Sequence, residues 1–176
     1  SLRIVNALEI LFGAGTAVAA TRTAELALQS WWLEANLETD LGANHLFKNA
    51  LALAWAGRCL RGRSPQRWRS RGDAILVREL ESQILADGFH VERSPGYHAV
   101  LVDDLIRFER LLRAAGEDGG VFGRQVIEAR RCTAAALASV VHPDGEIPLF
   151  NDSAFGQAPK TAWILDRAAE LDLGMR

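Results

Sequence analysis

The chain has 176 residues, 49% of them hydrophobic, with 20 basic against 22 acidic side chains and a formal net charge of -2. That length suits one domain with a substantial core, and near-neutrality argues against bulk electrostatic attraction to nucleic acid or lipid. No apolar run reaches the roughly eighteen residues that a membrane-spanning helix needs, so no span is expected.

The first element is a helix predicted over residues 2–20, where Leu2, Val5, Leu8, Leu11 and Phe12 recur at three- and four-residue steps. Gly13 and Gly15 weaken its middle. Arg3 followed by Ile4 and Val5 mimics the opening of a signal peptide, but Asn6 and Glu9 interrupt the apolar stretch and no cleavage site follows. A start inside helical pattern, without an initiator Met, reads as a piece of a longer protein and is silent about the parent's export signal. Residues 23–37 continue the pattern through Leu26, Trp31 and Leu33, either as an extension or as a separate helix. Residues 44–60 are rich in Ala and Leu with few charges, which predicts a helix buried on more than one side. Ser64 and Pro65 are expected to cap and open the next helix, whose stripe of Ile75, Leu76, Leu80 and Ile84 runs to about Leu85. Further helices are predicted over 99–114, 121–140 and 159–171, with glycine-containing turns between them. Residues 147–150 form one short extended piece at most.

These elements make six or seven helices in one all-α domain spanning 1–176, arranged as antiparallel helical hairpins. A bundle, a superhelical array and part of a ring of hairpins all satisfy the periodicity. No internal repeat marks a common solenoid.

Three polar clusters interrupt this apolar pattern. In the first, Asn44, His45, Lys48 and Asn49 fall in the first turns of a helix, with His45 and Asn49 four apart on one face. A histidine serves as general base near neutral pH, and an amide donates to a substrate carboxylate. The competing reading is Asn44 as a helix cap with His45 exposed beside it. Trp55, in the apolar stretch that follows, reads as core or as a sugar-facing aromatic ring.

The second cluster, residues 87–98, is the richest. Gly88 is expected to end a helix, and Pro95 with Gly96 to enforce a turn that displays Glu92, Arg93, Tyr97 and His98 on or beside a loop. Tyr97 has the chemistry to donate a proton to a leaving oxygen. Acting as a base would require a strong local shift from its ordinary pKa of about 10. The structural alternative is a loop held by Glu92 and Arg93, with Tyr97 covering the core. A metal site built from His45, His90, His98 and Glu92 lacks any tight ligand spacing, and no metal is assigned.

In the third cluster, residues 141–153, two prolines and a glycine shape a loop that Leu149 and Phe150 are expected to anchor inward. Asn151, Asp152 and Ser153 either cap the next segment or line a sugar site, and no calcium-loop spacing is present. Residues 58–71 carry Arg58, Arg61, Arg63, Arg67, Arg69 and Arg71 around Trp68. That run reads as a solvated face, a contact for an anionic glycan, or a nucleic-acid patch, though no nucleic-acid motif accompanies it. Cys59 and Cys132 are too few and too far apart to form a disulfide framework.

Asn44-His45-Leu46 with Asn49, Asp87-Gly88-Phe89, the run from Glu92 to His98, His142-Pro143-Asp144-Gly145 and Pro148-Leu149-Phe150-Asn151-Asp152 occur in an order that resembles the heparinase II/III-like polysaccharide lyases. The resemblance covers about Ala43 to Phe155. It implies a partial (α/α) toroid, or incomplete α/α barrel, whose downstream β-sandwich is absent here. It also implies β-elimination on an acidic polysaccharide. By this resemblance, Asn44 neutralises the substrate carboxylate, His45 assists that neutralisation or abstracts the proton, and Tyr97 donates a proton and in some geometries acts as base. Asn49, Glu92, Arg93, His98, Asn151 and Asp152 are then expected to bind substrate. Zinc in relatives belongs chiefly to the missing sandwich, so no cofactor is expected.

The leading expectation is therefore the catalytic helical portion of a lyase acting on a uronic-acid-containing polysaccharide, in a periplasmic or secreted parent. Residues supplied by the missing regions leave the activity of this chain alone open. Apolar helix edges exposed by truncation are expected to favour self-association. The alternatives are a non-catalytic acidic-glycan-binding domain, and a helical interaction or nucleic-acid-binding module using residues 58–71.

Overall fold

A computed structural model describes residues 1–13, 20–40 and 43–174. Among them are seven α-helices: α1 (Leu2–Gly13), α2 (Ala20–Ala35), α3 (Ala43–Cys59), α4 (Arg63–Gln83), α5 (Pro95–Ala114), α6 (Val121–Val140) and α7 (Thr161–Asp172). The architecture is all-α, and its helix-on-helix packing is consistent with the hairpins of an (α/α) toroid. Gly15, expected to weaken the first helix, lies outside the described residues. No strand forms at 147–150, and an isolated antiparallel bridge pairs Ile84 with His90 instead. None of the described helices is long and apolar enough to cross a membrane.

Two compact units divide the chain within α4, residues 1–79 and residues 80–176. In the first, α1 and α2 pack on α3. Every residue from Ala50 to Ala56 of α3 is buried, as expected for a helix whose middle carries no solvating charge. Helix α4 approaches α3 across small residues. A Cβ added at Gly72 would lie 2.7 Å from the Ala54 nitrogen, and one at Gly57 would lie 2.5 Å from the Arg69 nitrogen. Glycine thus sets how closely these two backbones meet.

Four arginines of the basic run, Arg58 at the end of α3 and Arg67, Arg69 and Arg71 on α4, pair within this unit. Arg67 makes a two-bond fork to the Glu34 carboxylate at 2.7 Å each, and Trp68 Nε1 donates to the same group at 2.8 Å. Arg71 donates to the Glu34 backbone carbonyl, and Arg58 forks onto Asp73 at 2.7 and 2.9 Å. The Arg67 hydrogen bond holds the Glu34 carboxyl below its usual range, with Trp68 adding to the effect against the cost of burial. These pairs anchor the run within the unit, while Arg61, Arg63 and Arg67 remain exposed. Pro65 is the third residue of α4 and does not open it, a position tolerated because first-turn N–H groups lack helical partners anyway.

The second unit is built on α5, α6 and α7. Ala99, Val102 and Ile106 of α5 meet Ala134 and Leu137 of α6 and Ile164, Ala168 and Leu171 of α7, with Ile147 closing the cluster from the connecting loop. Ile147 and Pro148 are the inward anchors of that loop, whereas Leu149 and Phe150 are exposed, contrary to the sequence expectation. An ion network, buried at Arg130 and Glu109, ties α5, α6 and α7 together. Arg130 donates to Glu109 at 2.8 Å and forks onto Asp172, while Arg113 also donates to Glu109 and Arg131 to Asp172. Arg130 and Glu109 are fully buried, so their mutual pairing is what makes burial tolerable.

Candidate functional site

The first polar group sits at the start of α3. Asn44 is in the first turn, inside the helix and not at its cap, and is half-buried. His45 is exposed, and its Nδ1 lies 3.3 Å from Glu38 Oε1. Glu38 precedes the helix and is held by Asn49. The Asn49 amide donates to Glu38 Oε2 at 2.8 Å, and the Glu38 backbone N–H donates to Asn49 Oδ1 at 3.0 Å. Asn49 is only 1% exposed. Its geometry therefore fixes the carboxylate that touches His45, and it offers no free edge to a sugar. Residue types alone gave no signal for Glu38, because it is seven positions before His45 and belongs to no spacing rule.

The second group surrounds the start of α5, within the other unit. Ser94 caps this helix, accepting the Tyr97 N–H at 3.4 Å, and Pro95 follows as its first residue. Tyr97 therefore stands in the first helical turn and not on a loop, and it is half-buried. A second loop closes over the same helix end. Ser153 Oγ accepts the Gly96 N–H at 3.0 Å and lies 3.0 Å from Ser94 Oγ. Asn151 donates through its side-chain amide to the carbonyls of Arg93 at 2.8 Å and Glu92 at 3.2 Å. A Cβ at Gly96 would meet the movable side-chain amide of Gln157 and lie 3.4 Å from the Ser153 Cα.

These contacts bring Glu92, Arg93, Tyr97, His98 and Asn151 into one neighbourhood. Asn151 is spent on backbone carbonyls, while Asp152 is exposed. Arg93 has a backbone φ of 51° and faces Asp87 at 3.8 Å, so the ion pair in this loop is Asp87–Arg93, where the structural alternative had Glu92 and Arg93. Gly88 does not end α4, which stops at Gln83. It turns the segment between Leu85 and His90 with φ 81°.

His98 is fully buried, stacks on Phe89 at 4.2 Å between ring centroids, and bonds the Thr133 carbonyl through Nε2 at 2.9 Å. Burial pushes its pKa down to about 4, against the raising effect of the Thr133 carbonyl. A neutral imidazole held this way supports the segment behind Tyr97 and does not face solvent. Cys59 and Cys132 are free, and burial raises both thiols, Cys59 to about 11, so neither is a poised nucleophile. Among the described residues, no group of three His, Cys, Asp or Glu side chains is placed to hold a metal ion.

Residues 21–170 match the family described as Heparinase II/III N-terminus. Over 122 residues the chain is 31% identical to a heparin-sulfate lyase of Bacteroides thetaiotaomicron, covering 65% of this chain and 17% of that protein. A heparin-sulfate lyase of Pedobacter heparinus is 29% identical over 101 residues, covering 57% of this chain and 14% of that protein. The crystal structure of heparinase III superposes with a TM-score of 0.71 at 27% identity, covering 86% of this chain and 25% of that one. The chain thus spans less than a fifth of the length of these two lyases.

Proposed function

The chain belongs to the heparinase II/III N-terminal family, and we propose that it supplies the helical part of the active site of a lyase that cleaves uronic-acid-containing polysaccharides by β-elimination. Family membership supports the reaction class. The observation that carries the residue assignment is the mounting of Tyr97, half-buried on a helix end clasped by Ser94, Ser153 and Asn151. Positioning of that kind holds a proton donor within the narrow reach that proton transfer requires.

In this reading Asn44 and His45 meet the substrate carboxylate. The proton on the adjacent carbon is weakly acidic, and hydrogen bonds to the carboxylate favour the enolate-like charge that develops as it leaves. Tyr97 protonates the glycosidic oxygen as the carbon–oxygen bond breaks, leaving an unsaturated sugar ring. Glu38 orients His45 through its Nδ1, and Asn49 orients Glu38. Of the residues first expected to bind substrate, Glu92, Arg93 and Asp152 keep that role. Asn49, His98 and Asn151 act through the groups they hold. The names of the relatives make heparan-type glycosaminoglycans the first substrates to try, with alginate and other acidic glycans after them.

The test is an ultraviolet assay for unsaturated products, using the full-length protein and a panel of acidic polysaccharides. Asn44→Ala, His45→Ala and Tyr97→Phe are expected to retain the wild-type circular dichroism and to lose at least about a hundredfold in kcat/KM. Ligand binding without unsaturated product on any glycan would replace the lyase reading with a glycan-binding one.

A further inference from the structure

The segment leading into Tyr97 is tied down by two buried histidines in series. The backbone N–H of His90 donates to His98 Nδ1 at 3.2 Å, and His98 Nε2 reaches the Thr133 carbonyl of α6 at 2.9 Å. A ring nitrogen that accepts an N–H carries no proton, so the His98 proton is on Nε2. His90 repeats the arrangement. Its Nδ1 accepts the Glu92 N–H at 3.3 Å, and its Nε2 meets the Gln83 side-chain oxygen at 2.9 Å. Both rings are therefore neutral with the proton on Nε2, and both are nearly inaccessible, His98 at 0% and His90 at 2% exposure. Each uses one nitrogen to hold the 90–92 backbone and the other to hold a helix, α6 for His98 and α4 for His90.

We propose that His90 and His98 form a relay of buried neutral imidazoles that fixes the Tyr97 segment in place and releases it when acid charges the rings. Protonating His98 Nδ1 turns an acceptor into a donor facing the His90 N–H, which breaks the link between the loop and α5. The charged and titratable groups around the pair are Asp87, Glu92 and Arg93 from the same loop and Cys132 from α6, whose carbonyl closes on Gly88. Asp87 and Glu92 favour the charged rings, but they do not offset burial, and both histidines titrate below their ordinary value.

The sign follows from that depression. A histidine harder to protonate in the folded state adds stability above its unfolded pKa and loses it as pH falls toward its folded value. For His98 the window runs from 6.5 down to about 4. The proton taken up by His98 alone should then raise opening of this segment about tenfold per pH unit across that window. The links of the relay rest on hydrogen-bond geometry, and its acid window on the burial of the two rings. Its consequence for catalysis rests on the reading of Tyr97 as proton donor.

Two measurements on the full-length protein test it. Nitrogen-15 spectra of labelled histidine, assigned with His90→Gln and His98→Gln, should show both rings as the neutral Nε2–H tautomer at pH 7. Hydrogen exchange of residues 87–98, corrected for intrinsic amide chemistry, should rise selectively as pH falls from 6.5 to 4. In His98→Gln, which keeps a donor for Thr133 but cannot be charged at this position, exchange should be raised already at pH 7 and the acid step should shrink to the share that His90 supplies. An Nδ1–H or charged ring at pH 7, or an acid step unchanged in His98→Gln, would overturn the relay. If the wild type makes no unsaturated product while these signatures hold, the lyase reading fails and the relay stands.

Discussion

At the residue scale, single backbone positions decide how the Tyr97 segment is built. Gly88 has φ 81°, and a Cβ there would lie 2.6 Å from the Cys132 carbonyl oxygen, a backbone atom that cannot swing away. Gly145 has a similar φ of 87° but open space around it. Gly88→Ala is expected to cost about 2–4 kcal/mol, from left-handed strain plus a clash, while Gly145→Ala costs about 1 kcal/mol from strain alone. Thermal unfolding of the two variants measures the difference directly. Equal losses would show that the approach to Cys132 is looser than these distances. Residue types in the sequence drew attention to the polar clusters that hold Asn44, His45 and Tyr97, and the family resemblance gave those three their expected roles. They did not reveal Glu38, Gln83 or Thr133, since each matters only through a partner brought close by folding.

At the element scale, the helices were legible from their periodicity, and the errors gather at their ends. Residues 121–140 were predicted with the observed limits because glycines isolate an uninterrupted stripe. Helix α5 begins at Pro95, four residues before the apolar stripe at Ala99, because Ser94 and Pro95 form a cap and first turn. The same Ser–Pro pair at 64–65 lies inside α4. Local chemistry marks a helix start but does not say which of two such pairs starts one. The cap of α5 is also shared across the chain, since Ser153 takes the Gly96 N–H that Ser94 leaves free. Ser153→Ala is expected to destabilise by about 1 kcal/mol and to lower kcat more than it raises KM, by loosening the first turn that carries Tyr97. Steady-state kinetics beside a denaturation curve check both parts. Wild-type kcat in a destabilised Ser153→Ala would separate the clasp from catalysis.

At the scale of the whole molecule, the two compact units have different charge anchors. Residues 1–79 are tied by Glu34 to Arg67 of α4 and by Asp73 to Arg58 of α3, and residues 80–176 by Arg130 to Glu109 and Asp172. The Arg130 and Arg131 guanidiniums hold the Asp172 carboxyl at about 2, below its ordinary 3.8. A depressed carboxylate adds stability above its unfolded pKa and loses it as pH falls through the folded one. Acid unfolding of the second unit is therefore expected to show a loss between pH 3.8 and about 2 that Asp172→Asn removes, below the histidine window. A pH-dependent melting series follows this, and an unchanged acid profile in Asp172→Asn would assign the loss elsewhere. The all-α class and the family were legible in the sequence, because helical stripes and ordered polar clusters are local signals. The division at α4 was not, since it depends on contacts between distant segments.

The most direct test of the central claim is the mass of oligosaccharides released from heparan-type chains by the full-length protein, with Tyr97→Phe in parallel. β-Elimination predicts fragments lighter by one water than hydrolysis products, bearing an unsaturated terminal ring, and their loss in Tyr97→Phe. Fragments carrying the added water, or unsaturated fragments made equally well by Tyr97→Phe, would contradict it.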